Sequence, residues 1–429
     1  MPQSVADLQS RVRDLSPSGN EKVFAVLVLF YSTGAFWRTL QADRNPEPSR
    51  AWTGSLLTNT LWIVIYCIVF FLLRNRCVIP RGLWRKSFWM LLPLPVAVLS
   101  LAWTEDRLLT FLRCGALAGT ALVALYLALR FTIREIMSFS AWALGIAALG
   151  SAVCAIIFPS YGIGTDEYQG LWIGVFAQKN ELGMMMSTGF LIYLLLFWHD
   201  RSHRMVWVGM AALSLFLVFR ADSMTSLAVC CALPYLLWVS NKTLVKKQRV
   251  WVRFLYFALP VAVLVCGITL QFDRVVEAIG RSSDLTGRTI LWGVVVSKAV
   301  MEKPYLGYGY EAFWRGYEGT AGDIWNQLGL YQYYSHNGFL EVTLGMGLFG
   351  LIALMIALIF FAKDALRTIQ QPKSLTSFWP WTFLLYLLLS NLLEGSLMKS
   401  NNLPWLLYIV TAFSLCLNRI GHSVLSRTG

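Results

Sequence analysis

The chain contains four histidines, and His336 is the one whose position suggests chemistry. It lies where a long polar segment meets an apolar run, whereas His199, His203 and His422 lie in short basic segments. Because imidazole accepts a proton near neutral pH, His336 is the first candidate for a general base. An alternative stays open, in which this histidine simply caps a helix at a membrane surface.

Arg220 directly follows an apolar run of about 15 residues, which as a helix would reach only about 22 Å. We therefore expect its guanidinium to lie below the surface of a membrane. A charge at that depth is costly unless it is paired or faces a cavity, so Arg220 is a candidate binding residue. The alternatives are an ion pair with Asp222 and a side chain that extends to the surface.

Two other basic positions precede predicted helices. Arg288 opens a predicted helix over 288–302, and the free N–H groups at such an end attract anions. Lys179 and Asn180 precede another apolar run. The simpler interpretations are a solvated arginine, an interfacial anchor and an N-cap, respectively.

Glu394 and Lys399 flank the short turn between the last two apolar runs, and we expect them to pair with each other. Met184, Met185 and Met186 are interpreted as packing or lipid-facing residues. The basic residues have no compact acidic cluster beside them in the sequence, so we predict that the protein needs neither a metal nor a cofactor.

Arginines without an acidic cluster suit a ligand that contains phosphate. The planar guanidinium offers paired donors and stays charged at any relevant pH. Together with a base, such residues fit the displacement of a diphosphate leaving group. The arginines would hold the leaving charge while the base takes a proton from an attacking hydroxyl.

The composition points to a membrane. Of the 429 residues, 57% are hydrophobic and 14% are charged, whereas a soluble domain carries roughly a quarter charged residues. The 18 Trp, 17 Tyr and 26 Phe fit the aromatic belts where a bilayer meets water. These values exclude a soluble enzyme, a disulfide-rich secreted domain and a nucleic-acid reader, so no nucleic acid is an expected partner.

Apolar windows of about 20 residues define the helices that must position these side chains. They give about 12 candidate spans. The spans are 23–40, 55–73, 87–103, 108–130, 138–158, 181–198, 204–219, 224–239, 252–271, 336–361, 378–393 and 403–417. The sequence therefore predicts an all-α polytopic membrane protein.

The distribution of Lys and Arg orients these spans with both termini in the cytoplasm. The predicted segments are a cytoplasmic N-terminal surface segment, spans one to nine, a periplasmic loop that contains helices, spans ten to twelve and a cytoplasmic tail. Their bounds are 1–22, 23–271, 272–335, 336–417 and 418–429. In this orientation His336 and the candidate basic residues share the external side.

Four motifs occur in order along the chain. They are Gly174-Val175-Phe176-Ala177-Gln178-Lys179-Asn180-Glu181-Leu182-Gly183; Arg220 with Ser223 and Thr225; Gly287-Arg288-Thr289-Ile290-Leu291-Trp292 with Pro304 and Gly307-Tyr308-Gly309; and His336-Asn337-Gly338-Phe339-Leu340 with Gly347 and Gly350. Over about residues 90–415 the chain resembles the O-antigen ligase and polymerase superfamily, which includes WaaL and Wzy-like proteins. The turn at 221–225 departs from the more basic, serine-rich turn of many members.

The resemblance implies a GT-C-type, inverting, metal-independent glycosyltransferase of the bacterial inner membrane whose active site faces the periplasm. It implies His336 as the general base, and Arg220, Arg288 and Lys179 as ligands of the donor diphosphate. The supporting residues expected around them are Asn180, Asn337, Tyr308 and Glu394.

The implied donor is a glycan linked to polyprenyl (undecaprenyl) diphosphate, and the implied acceptor is a sugar hydroxyl on a second glycan. Polymerisation of the repeat units of a surface polysaccharide is favoured. The alternative acceptor is lipid A-core, which would make the protein an O-antigen ligase. Membrane lipids and a chain-length regulator are further candidate partners. A lesser alternative is a transporter of lipid-linked glycan, for which Arg113 is the main intramembrane charge.

Overall fold

The computed structural model describes residues 17–37, 55–165, 169–242, 284–317, 319–329, 331–370 and 377–425. Regular structure in these ranges is helical, apart from one antiparallel bridge between Ile163 and Trp172. The predicted all-α fold is confirmed. Residues 1–16 of the predicted N-terminal surface segment and span nine, 252–271, lie outside the described residues.

Residues 272–335, predicted to form a periplasmic loop, are referred to below as the external segment. The helices that precede it, in chain order, are α1 (Gly19–Ser32), α2 (Leu56–Arg76), α3 (Leu83–Ser87), α4 (Pro93–Leu99), α5 (Arg107–Arg130), α6 (Ile133–Ile157), α7 (Pro159–Gly162), α8 (Lys179–His199), α9 (Arg204–Arg220) and α10 (Met224–Ser240). Those within and after it are α11 (Asp284–Val295), α12 (Gly319–Leu328), α13 (Gly338–Gln370), α14 (Trp379–Asn391) and α15 (Leu403–Leu425). Residues Val296–Val300 continue α11 as a π-helical turn, which accounts for the helix predicted over 288–302.

Local sequence explains where several helices begin. Ser18 and Glu21 form a capping box at the start of α1, and Thr132 and Glu135 form another at the start of α6. Asp106 accepts the backbone N–H of Leu109 at the start of α5. Each cap satisfies N–H groups that have no partner inside the helix.

Within the described ranges, six helices are long and apolar enough to cross a membrane. A seventh span results if the pair Leu83–Leu91 and Pro93–Ala102, bent by 71°, is counted as one. These helices support a multi-pass membrane protein. The number of 12 spans and the GT-C architecture remain predictions.

Three of the helices that adjoin candidate residues are shorter than the average bilayer core. Helices α9 and α10 have 17 residues each, and α14 has 13. At 1.5 Å per residue, α14 reaches only about 20 Å of the roughly 30 Å that a span must cover.

Helix α13 is broken at Gly347, although the sequence predicted an uninterrupted span over 336–361. Gly347 has φ 61° and ψ −163°, and a Cβ there would lie 2.2 Å from the carbonyl carbon of Tyr305. The break leaves backbone N–H and C=O groups without partners inside the helix, and these groups form hydrogen bonds with the external segment. Leu348 N–H donates to Pro304 O at 2.8 Å, and Tyr308 N–H donates to Leu344 O at 2.9 Å.

The external segment has a small apolar core of its own, which includes Leu291, Val295, Tyr308, Trp314 and Trp325. Leu344 of α13 completes this core. The segment is thus anchored both by side chains and by the backbone pairing at Gly347, which fixes it over the end of the bundle that carries His336.

Arg113 lies near the start of α5. Its Nε lies 3.4 Å from Oε2 of Glu311 in the external segment. The transporter alternative remains a prediction.

Candidate active site

Glu394 is the residue around which the candidate site is built. Its carboxylate is buried, and Oε1 accepts a hydrogen bond of 2.8 Å from Nη2 of Arg288. Oε2 lies 3.6 Å from Nδ1 of His336. The expected pairing with Lys399 is wrong, because within the described residues Glu394 forms its ion pair with Arg288 and lies beside the imidazole of His336.

Arg288 joins three parts of the chain. Besides Glu394, its guanidinium donates to Oγ1 of Thr225 at 3.1 Å and to the carbonyl oxygen of Leu393. The first contact reaches the start of α10, and the second reaches the turn after α14. Arg288 is buried and not solvated, so the simpler interpretation is wrong for this residue.

The backbone around His336 is strained. His336 has φ 53°, a left-handed conformation that costs a residue other than glycine of order 1 kcal/mol. Both backbone polar groups of the preceding residue, Ser335, are hydrogen-bonded. Its N–H donates to Oε1 of Glu341, and its carbonyl oxygen accepts from Nε1 of Trp292. These bonds fix the direction in which the imidazole leaves the chain.

Asn337 caps α13, so the interpretation of His336 as a helix cap is wrong. Oδ1 of Asn337 accepts the N–H groups of Phe339 and Leu340 at 3.0 Å each. Its Nδ2 donates to Leu392 O at 3.1 Å, which connects the His336 turn to the Glu394 turn. Asn337 thus supports the geometry of the site.

A close backbone approach holds the two turns together. Gly338 N–H donates to Glu394 O at 3.0 Å, and a Cβ on Gly338 would lie 2.2 Å from Oδ1 of Asn391. That same Oδ1 accepts the N–H groups of Ser396 and Leu397, so the amide of Asn391 shapes the turn that carries Glu394. Glu394 and His336 are therefore positioned by one shared framework.

Tyr334 completes the surroundings of the imidazole. Its ring centroid lies 4.1 Å from that of His336, and its hydroxyl donates to Oε2 of Glu394 at 3.4 Å. The sequence analysis did not select Tyr334, Trp292 or Glu341. The available signal was their position within one or two helical turns of His336 or Arg288.

The starts of α8 and α10 lie against each other. A Cβ on Gly183, in α8, would lie 2.6 Å from Oγ of Ser226 and 2.7 Å from Cβ of Ser223. Neither Gln178, which precedes α8, nor Ser223, which precedes α10, makes a side-chain cap. Two helix N-termini with partial positive charge therefore converge near the turn that Arg288 contacts.

Lys179 lies one helical turn before Gly183 and therefore on the same face of α8. Its side chain is buried, as is that of Asn180. Asn180 lies inside the first turn, since Gln178 is the N-cap, so the N-cap interpretation of Asn180 is wrong.

Arg220 ends α9 with an exposed side chain. Its guanidinium carbon lies 4.9 Å from the ring centroid of Trp172, and its carbonyl oxygen accepts the N–H of Trp172 at 3.1 Å. The position is consistent with a residue that faces a ligand or the bilayer interface. It lies five positions before Thr225, the hydrogen-bond partner of Arg288.

Tyr308, expected to support the site around His336, lies instead in the core of the external segment. Its ring is buried in the core of the external segment, and its hydroxyl donates to Oε2 of Glu302 at 2.9 Å. Burial raises the pKa of this hydroxyl well above its usual range. Tyr308 supports the external segment and makes no contact with Glu394 among the described residues. Met184, Met185 and Met186 are buried packing residues.

In the described part of the chain, no group of three or more His, Cys, Asp or Glu side chains could hold a metal ion. The site combines the buried carboxylate of Glu394 with the imidazole of His336 beside it and Arg288 hydrogen-bonded to it. Two helix N-termini, with Lys179 and Arg220 nearby, add positive charge. Chemically, the site can take a proton and stabilise an anion next to it.

Comparison with known proteins shows which proteins the chain is similar to. Residues 209–355 match the family model of the O-antigen ligase domain (Wzy_C). The resemblance predicted from the motifs is confirmed. The chain is also 27% identical over 250 residues to the exopolysaccharide production protein ExoQ of Rhizobium meliloti (strain 1021). That alignment covers 53% of this chain and 56% of the relative, so the chain spans about half the relative's length.

The matched O-antigen ligase region is shorter than the 90–415 stretch of the resemblance. It includes Arg220, Arg288 and His336, whereas Lys179 and Glu394 lie outside it. The tertiary structure therefore adds to the matched region a carboxylate that the family model does not cover.

Proposed function

We propose that the protein is an inverting glycosyltransferase that transfers a glycan from polyprenyl diphosphate to a sugar hydroxyl. The observation that carries the proposal is the contact of Glu394 with both His336 and Arg288 at one end of the bundle. The O-antigen ligase match and the likeness to an exopolysaccharide production protein support an activity on polysaccharides.

In the proposed reaction His336 is the general base. With a proton on Nδ1 directed at Glu394, Nε2 is left as the proton acceptor, as in other imidazoles oriented by a carboxylate. The present 3.6 Å separation would shorten when substrate is bound, as often happens with catalytic hydrogen bonds. Nε2 takes the proton of the acceptor hydroxyl, whose oxygen forms a bond to the anomeric carbon.

The bond between the anomeric carbon and the diphosphate oxygen breaks, and the diphosphate departs with its electron pair. Attack from the side opposite the leaving group inverts the anomeric carbon. The leaving charge would be stabilised by Arg220, Lys179 and the helix N-termini of α8 and α10. Arg288 contributes less charge, because Glu394 neutralises it. It would donate to the diphosphate through those of its N–H groups that do not bond Thr225, Leu393 or Glu394.

The shortness of α14 fits a lipid-linked donor. Its 13 residues reach about 20 Å, and we propose that its Asn391 end lies below the outer membrane surface, near the level at which a prenyl chain meets its headgroup. We propose that this end of the bundle faces the periplasm of a bacterial inner membrane, as the distribution of Lys and Arg predicts.

Polymerisation of repeat units is the favoured activity, supported by the likeness to ExoQ. Ligation to lipid A-core is the second candidate, supported by the description of the matched family model. The two differ in the acceptor alone, so the same donor chemistry serves both.

The deciding experiment supplies the purified protein with a defined polyprenyl-diphosphate-linked repeat unit, with and without lipid A-core. Growth of the glycan without the core identifies a polymerase, and transfer only with the core identifies a ligase. Absence of any transferred glycan, under conditions in which the donor is intact and the protein is folded, would overturn the proposal.

A further inference from the structure

We propose that Tyr317, Tyr331 and Tyr333 form a platform on which the glycan lies as it approaches His336. This inference rests on the proposed function, because it assigns a binding surface for the sugar part of the substrate. We refer to the three residues as the tyrosine platform. Nothing in the four motifs includes them.

The tyrosine platform is continuous with the candidate site. Tyr331 and Tyr333 precede His336 by five and three positions in the same loop. A chain of five residues spans at most roughly 18 Å, so the platform begins close to the imidazole. Tyr334, between them, packs its ring on His336 at 4.1 Å. A glycan held at His336 would pass over these rings.

The rings of Tyr317 and Tyr331 are exposed on one side and packed against a buried ring on the other. Tyr317 is 54% exposed and Tyr331 is 55% exposed, and their centroids lie 5.4 Å apart in an edge-to-face arrangement. Both pack against the buried ring of Trp325, at 5.6 Å and 5.7 Å. The Nε1 of Trp325 donates to Gln332 O at 2.8 Å, which fixes the loop. Such a surface loses little conformational entropy when it binds a ligand.

The chemistry of the platform suits a sugar better than a diphosphate or a lipid chain. Each ring offers a flat apolar face for the C–H groups of a pyranose and a hydroxyl for its polar edge. The basic residues and helix N-termini that suit an anion lie elsewhere, beside the turn between α9 and α10. Exposed tyrosines of the bilayer interface are the competing interpretation.

The test uses the free oligosaccharide released by mild acid from the lipid-linked glycan of the producing cells. This probe lacks the diphosphate and the lipid, so its binding reports on sugar recognition alone. Titration calorimetry with the full-length protein in lipid nanodiscs should show binding that Tyr331→Ala weakens by about threefold to tenfold. Tyr331→Phe, which keeps the ring and loses only the hydroxyl, should weaken binding less than Tyr331→Ala.

Tyr305→Ala is the matched control, because Tyr305 is a 72% exposed tyrosine of the external segment outside the platform. It should bind the oligosaccharide like the wild type, and His336→Ala should also retain binding. Thermal unfolding of each variant separates loss of binding from loss of fold.

Equal binding by wild type and a folded Tyr331→Ala variant, or no binding by wild type, would overturn the platform. Transfer assays on the same preparations separate the two proposals. Transfer with an unchanged acceptor KM in Tyr331→Ala contradicts the platform and leaves the proposed function intact. Oligosaccharide binding that depends on Tyr331, in a protein that transfers nothing, supports the platform and contradicts the proposed function.

Discussion

Nη2 of Arg288 donates a 2.8 Å hydrogen bond to Oε1 of Glu394, although 106 positions separate the two residues in the sequence. Both side chains are buried, so each charge depends on the other for compensation. The same carboxylate lies beside His336, which couples the charge of the arginine to the orientation of the base.

His336→Ala should lower the rate of glycan transfer by about 100-fold to 10,000-fold, the usual contribution of a general base. Binding of the lipid-linked donor should change little, because the imidazole acts on the acceptor hydroxyl. The matched control is His203→Ala, since His203 is exposed and pairs with Asp200 in a separate loop. Comparable transfer by the two variants in a reconstituted assay would remove His336 as the base.

Glu394→Gln should reduce kcat while it leaves the acceptor KM nearly unchanged, because the amide cannot stabilise an imidazolium. It should also lower the thermal stability, since Arg288 remains buried with a neutral partner. Lys399→Ala serves as the control and should have wild-type kinetics. An equal fall of kcat in both variants would contradict the role assigned to Glu394.

A double-mutant cycle tests the Arg288–Glu394 pair itself. Arg288→Met leaves a buried carboxylate without its arginine and should destabilise the protein by about 3 to 5 kcal/mol. Adding Glu394→Gln removes that charge, so the double variant should unfold at a higher temperature than Arg288→Met alone. Strictly additive losses of stability would show that the two side chains are not coupled.

Arg220→Ala should raise the donor KM by about tenfold or more at saturating acceptor, in line with loss of a charge-assisted contact to the diphosphate. Arg220→Lys should recover part of that loss, since it restores the charge without the paired donors. Lys298→Ala removes another exposed cation, on the π-helical turn, and is the control. A donor KM that is unchanged in Arg220→Ala would exclude a diphosphate role.

Gly347→Ala should destabilise the protein by about 1 to 3 kcal/mol, because a side chain at this φ and ψ is strained and meets the backbone of Tyr305. The control is Gly293→Ala, where a Cβ meets no atom within 4 Å and helix propensity favours alanine. Thermal unfolding in detergent should order the variants as Gly293→Ala, wild type and Gly347→Ala, from most to least stable. The reverse order would contradict the strained break.

The sequence by itself was sufficient to predict the helical membrane architecture and the family resemblance. Runs of apolar residues must bury their backbone polar groups in helices, and this constraint acts locally along the chain. His336, Arg220 and Arg288 could also be selected as candidates, since each is a charged or titratable side chain at the end of an apolar or helical segment.

Only the tertiary structure decided how these candidates are grouped. It showed that the ion-pair partner of Glu394 is Arg288 and not Lys399, and it placed Tyr308 in a separate core. The break at Gly347 could not be predicted from the sequence, because apolar residues continue on both sides of it. Only the close approach of the Tyr305 backbone shows why glycine is needed there. Pairings between distant residues depend on how helices pack, and hydrophobic pattern along one helix does not determine the angle or register of its neighbours.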